Sequence, residues 1–212
     1  MNTGLSLSSV RESEKLLNLF GKNEKESEGE SASIMRCYML SAMAKLNSVK
    51  EYISSILEND IKLIIFAHHI EVMDQLEIHI KSLKFHYIRL DGSVSPETRK
   101  KKVDMFQDDS NIKVALLSIT AMGTGFTLTA ASTVLFAELH WTPAMLIQAE
   151  DRTHRIGQQN AVNIHYLIGD GTLDPIMLRQ LERKVGTVSK VLDGESETMN
   201  IEVLAKGEMG KF

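Results

Sequence analysis

The sequence predicts an α/β fold, a mostly parallel sheet with helices on both faces, and three observations carry that prediction. First, IKLIIFA (61–67) and KVALLSI (113–119) are short, continuous apolar runs rich in β-branched residues, the pattern of strands buried on both faces. Second, from residue 61 onward such runs alternate with segments of helical period, an order that right-handed crossovers convert into a parallel sheet. Third, every proline of the chain follows a capping residue, at Ser95-Pro96, Thr142-Pro143 and Asp174-Pro175. Proline has no amide hydrogen to lose at a helix start, and the preceding side-chain oxygen can take an orphan backbone donor.

Taken in order, LSSVRESEKLLNLF (7–20) has Val10, Leu16, Leu17 and Phe20 spaced for a short amphipathic helix. GKNEKESEGESAS (21–33) has the glycine, serine and charge of a solvated linker, so a boundary is expected there. Residues 34–57 are apolar at helical spacing, with Leu46, Val49, Ile53, Ile56 and Leu57 inward. Strands are predicted at 61–67, 85–90, 113–119, 133–139 and 161–168, and helices at 70–83, 95–107, 143–155 and 174–192. The expected organisation is a helix and polar linker over 1–33, a helical lead-in over 34–60, one α/β lobe over 61–192, and a tail over 193–212.

Composition narrows the function. A chain of 212 residues, 43% hydrophobic, has material for one sizeable core. It contains no apolar run of eighteen residues and no signal-peptide pattern in its first thirty, so a soluble, intracellular protein without membrane contact is expected. The single cysteine, Cys37, excludes an internal disulfide and a cysteine zinc site. A formal charge of −4 argues against coating nucleic acid through a net field, so any phosphate contact must be local. His68, His69, His79 and His86 lack metal-ligand spacing and are expected to be ordinary loop and surface histidines. Trp141 is expected to pack at the start of the helix that follows it.

In open α/β sheets ligands sit beyond the carboxyl ends of the strands. Three segments fall there: AHH (67–69), LDGSVSPETRKKK (90–102) and SITAMGTGFTLTAAS (118–132). The last carries Gly123 and Gly125, where backbone can approach a ligand or simply turn. GxxxxGK[ST] and GxGxxG are both absent, so the chain has no recognisable means of holding a triphosphate unaided. On a helix over 143–155, Gln148, Arg152 and Arg155 fall at i, i+4 and i+7, on one face. Spacing leaves two readings open: the guanidiniums bind phosphate oxygens, or they pair with Glu150 and Asp151 in a surface ion network.

The order KLIIFAHH, YIRLDGSVSPETRKKKVDMFQ, VALLSITAMGTGFTLTAASTVLFAELHW and QAEDRTHRIGQQNAVNIHYLI resembles the second RecA-like lobe of the SWI/SNF-type DNA translocases of helicase superfamily 2. The resemblance covers residues 44–192, and RTHRIGQ is among its most diagnostic strings. AHH, ITAMGTGFT, TAAS, HYLIGDGTLD and LERK look most like the annealing-helicase branch. The resemblance implies an ATP hydrolase whose ATP and Mg2+ lie between two RecA-like lobes and are held mainly by the first. Neither the phosphate loop nor the Asp-Glu motif of a first lobe occurs here, so the chain resembles a fragment of a longer enzyme, inactive alone. Arg155 matches the arginine finger and Arg152 its companion, Gln148 orients or senses nucleotide, and Gly123 and Gly125 match the loop coupling nucleotide to DNA. Ser118, His68 and Arg99 are the implied DNA contacts.

The implied partners are double-stranded or forked DNA and the N-terminal RecA-like lobe of the same protein, in the nucleus of a eukaryote or the cytoplasm of a bacterium. Two departures stand out: Ile119 replaces a common threonine, and Met122 the first of two adjacent glycines. The alternative from another class is a stand-alone RecA-like module that acts only by binding, as a scaffold. An RNA-directed superfamily 2 enzyme would share the fold but would not be expected to carry RTHRIGQ.

Overall fold

The computed structural model describes residues 28–123, 128–153 and 162–182. The helix expected at 7–20, the tail from 193, Gly125 and Arg155 lie outside the described residues.

The chain enters through a long helix, α1 (Glu28–Glu58). It begins six residues before the expected lead-in, inside the stretch that composition marked as linker, where glutamate and alanine are good helix formers. The chain then runs β1 (Leu63–Ala67), α2 (Ile70–Ser82), β2 (His86–Leu90), α3 (Pro96–Asp108) and β3 (Ile112–Ser118). A 3-10 turn (Ile119–Gly123), β4 (Thr133–Phe136), α4 (Pro143–Thr153) and β5 (Asn163–Tyr166) follow. Residues 174–182 are helical and form α5. All five predicted strands are present, and they pair in parallel in the order β2-β3-β1-β4-β5.

Alternation along each strand sends side chains to two cores. Leu63, Ile65, Val114, Leu116 and Leu135 meet Leu46, Val49, Ile53 and Leu57 of α1 and Met73, Leu76 and Ile80 of α2. Ile64, Phe66, Leu117, Val134 and Phe136 face the other way, against Phe106 of α3, Leu146 and Ala149 of α4 and Met177 and Leu181 of α5. Helices therefore cover both faces, as expected. In register across β1, β4 and β5, the rings of Phe66, Phe136 and Tyr166 form a stack with centroids 4.9 and 4.6 Å apart. Each buried aromatic of this kind contributes about 1.5–3 kcal/mol through area alone.

The proline junctions behave differently from one another. Ser95 caps α3, accepting from Thr98 N at 3.3 Å with Pro96 in the first turn. Asp174 does not stand before its helix: the first helical bond runs from Met177 N to Leu173 O, which makes Asp174 the first helical residue. Its carboxylate turns back to accept from Gly169 N at 2.9 Å and to pair with Lys45 of α1 at 2.6 Å. Thr172 Oγ1 accepts from Asp174 N in its place, and Gly171, at φ +73°, supplies the left-handed turn before it.

Further bonds hold α1 against the carboxyl-end side of the sheet. Tyr38 donates to the Leu139 carbonyl, Ser41 Oγ accepts from Leu173 N at 3.0 Å, and Tyr52 Oη meets His165 Nδ1 at 3.1 Å. Trp141 packs edge-on to Tyr38 at 5.3 Å just before α4, at the helix start where sequence placed it.

Candidate functional site

The carboxyl ends of β1, β3 and β4 carry the groups of interest. From β3 the chain passes into the 3-10 turn, and Leu128 N, beyond the glycine loop, donates to Arg152 O at 2.8 Å. That bond ties the last turn of α4 to the loop leaving β3.

On α4, Gln148 is exposed and Arg152, one turn later, is half-buried. Arg152 Nε is buried and has no hydrogen-bond partner among the described residues. No ion pair joins it to Glu150 or Asp151 among them, so the ion-network reading of this face has no support there. Glu150 instead accepts from Tyr166 Oη, and burial pushes its carboxyl up. Gly123 closes the 3-10 turn.

The implied DNA contacts fare unevenly. Ser118 is 3% exposed and its Oγ lies 2.9 Å from Thr120 Oγ1, whereas Thr120 is exposed. Ser118, the last residue of β3, thus points inward, and Thr120 in the 3-10 turn points to solvent. Ile119 is fully buried in the core, which accounts for an apolar residue where a threonine is common. Arg99 is 8% exposed and donates to the carbonyls of Ala121, Asp91 and Val94. Lys100 and Lys101 are exposed, and Lys102 donates to Arg89 O.

His68 and His69 are not ordinary surface residues. Buried Glu138, from the end of β4, accepts from both of their backbone amides at 2.8 and 3.0 Å and meets His69 Nδ1 at 2.5 Å. The His68 ring stacks on Tyr38 and packs against His69 and His140. Burial and then the neighbouring His69 push the His68 imidazole down. Burial lowers His140 as well. Among the described residues no group of three or more acids, histidines or cysteines is placed to hold a metal ion. Sequence reasoning missed Glu138; its signal was a carboxylate directly after an apolar strand run, a position that requires nearby donors.

The family model described as helicase conserved C-terminal domain matches residues 44–157, more than half of the chain. The chain belongs to that family. It is 47% identical over 170 residues to the human DNA annealing helicase and endonuclease ZRANB3, spanning 80% of this chain and 16% of the relative. The Drosophila melanogaster SWI/SNF-related matrix-associated actin-dependent regulator of chromatin subfamily A-like protein 1 is 42% identical over 182 residues, spanning 85% of this chain and 24% of that one. The crystal structure of the C-terminal part of the Fun30 ATPase domain superposes with a TM-score of 0.61 at 27% identity, covering 82% of this chain and 54% of that chain. The fold is thus the RecA-like one that the resemblance implied. The chain spans under a quarter of the length of the human relative.

Proposed function

We propose that this chain is the second motor lobe of an ATP-dependent double-stranded DNA translocase of the annealing-helicase kind, supplying arginines to a nucleotide held mainly by a first lobe. The observation that carries the reading is Arg152, whose buried Nε has no partner among the described residues while exposed Gln148 stands one turn away. Buried polar atoms are normally satisfied, and a guanidinium is suited to the paired oxygens of a phosphate. These residues fit an anion. Magnesium would be held mainly by the first lobe.

ATP supplies the scissile phosphoanhydride. Arg152, with Arg155 beyond the described residues, would stabilise charge developing on the γ-phosphate, a contribution worth roughly 10³ to 10⁵ in rate for an arginine finger. The Leu128 to Arg152 bond links that helix to the loop leaving β3, where exposed Thr120 and the glycines Gly123 and Gly125 would meet nucleotide and the duplex backbone. His68, half-buried with its imidazole pushed down by burial, would approach DNA by hydrogen bonding or stacking. The lobe would span 61–192, with 34–60 as its lead-in, and would act in the nucleus of a eukaryote. Without the first lobe it would not hydrolyse ATP.

The test is Arg155→Ala in the full-length protein. DNA-stimulated ATP hydrolysis should disappear while duplex affinity stays within about twofold, since a finger acts on the transition state rather than on binding. Normal turnover would overturn the finger assignment.

A further inference from the structure

Arg99, the fourth residue of α3, joins two loops that the sheet places side by side. Its Nη1 donates to Ala121 O at 2.9 Å, in the 3-10 turn after β3. Its Nη2 donates to Asp91 O at 3.0 Å and Val94 O at 3.3 Å, in the loop after β2. Because β2 and β3 are neighbours, one guanidinium spans the carboxyl-end loops of two adjacent strands. The 91–94 loop is independently fixed. Asp91 accepts from Ser93 N at 3.0 Å, from Ser93 Oγ at 2.5 Å and from Arg89 Nε at 2.9 Å. Beyond the 3-10 turn, Leu128 N donates to Arg152 O of α4 at 2.8 Å.

We infer that Arg99 is a positioning residue: it registers the loop leaving β3, with Gly123 two residues past the carbonyl it holds, against the rigid 91–94 loop, and does not itself touch DNA. The inference rests on the translocase reading, in which that loop couples nucleotide to duplex. Only a planar fork reaches both sides; a lysine ammonium keeps the charge but not the paired, fixed donors. That difference separates positioning from phosphate contact, because a phosphate accepts lysine as a point charge.

The experiment compares Arg99→Lys and Arg99→Ala with wild type in the full-length protein, by ATP hydrolysis at saturating duplex, duplex affinity across salt concentrations, and amide hydrogen exchange. Both variants should lower kcat by roughly tenfold to a hundredfold, the cost of about an ångström's misplacement. The slope of log affinity against log salt should remain that of wild type, and exchange should rise together at 91–94 and 119–122. If Arg99→Ala does not fold, the lysine variant decides alone. Wild-type turnover in Arg99→Lys, with a salt slope reduced by about 0.9 in Arg99→Ala, would identify a lost phosphate contact instead. Unchanged exchange in Arg99→Lys would also overturn the inference. A wild-type protein without duplex-stimulated hydrolysis would sink the translocase reading, while the exchange measurement would still decide whether Arg99 holds the two loops.

Discussion

Removing the carboxylate of Asp174 should cost more stability than any surface ion pair in this lobe. Lys45 and Asp174 meet at 2.6 Å with side chains only 6% and 3% exposed. Each has a second partner: Lys45 donates to Leu167 O at 2.6 Å, and Asp174 accepts from Gly169 N at 2.9 Å. In Asp174→Ala the ammonium stays buried with one carbonyl and Gly169 loses its acceptor. Truncating one partner of a buried pair costs about 3–5 kcal/mol because the other charge is left uncompensated. With a urea m-value of about 1–3 kcal/mol/M, the unfolding midpoint should fall by at least about 1 M at unchanged m. Lys45→Met with Asp174→Leu removes both charges and should recover about half of the loss, the remainder being the orphaned Gly169 amide, about 1–3 kcal/mol. A midpoint shift below about 0.3 M in Asp174→Ala would refute the reasoning, as would a double variant no more stable than the sum of its singles.

Acid should loosen the α2–β2 contact first. Burial opposes it, yet hydrogen bonds from Tyr87, Lys81 and Arg89 bring the Glu77 carboxyl from 4.5 down to about 2. A depressed carboxyl contributes stability that is complete above its ordinary value and lost as pH falls through the folded one, here between about 4.5 and about 2. Thermal midpoints across that window should fall less steeply in Arg89→Gln than in wild type; parallel curves would count against the network. Glu138→Ala should destabilise the lobe by about 2–4 kcal/mol in chemical denaturation, since two backbone amides and His69 lose one acceptor group. A change under about 0.5 kcal/mol would show that water replaces it readily.

Strands were legible because burial on both faces leaves no room for polar alternation: LIIFA and IKVALLS can hardly be anything else at that length. Pro96 and Pro143 likewise announced α3 and α4. Charged residues were the opposite case. Within RKKK the resemblance singled out Arg99, but charge and spacing do not show that it turns inward onto three carbonyls while Lys100 beside it is exposed; that difference is made by a loop that arrives from β3 twenty residues later. Asp174 carried the residue type of a cap, but its partners come from α1 and from the turn before it, so local spacing pointed to the wrong job. Glu138 illustrates the same limit, since the amides that justify its burial belong to β1's far end. The paired arginines stayed ambiguous because whether Glu150 answers Arg152 or Tyr166 depends on β5 lying against α4.

Among the described residues β2 is the outer strand of the sheet on one side, and a parallel sheet with a bare outer strand invites another chain to add to it. Here the Arg89 carbonyl already accepts the Lys102 ammonium, and Asp74, Glu77 and Asp91 gather around the Arg89 side chain. An incoming strand would have to displace an ammonium and enter a field of four or more fixed charges. The lobe therefore has its own protection against sheet-to-sheet aggregation, built into the side that faces away from the proposed nucleotide helix.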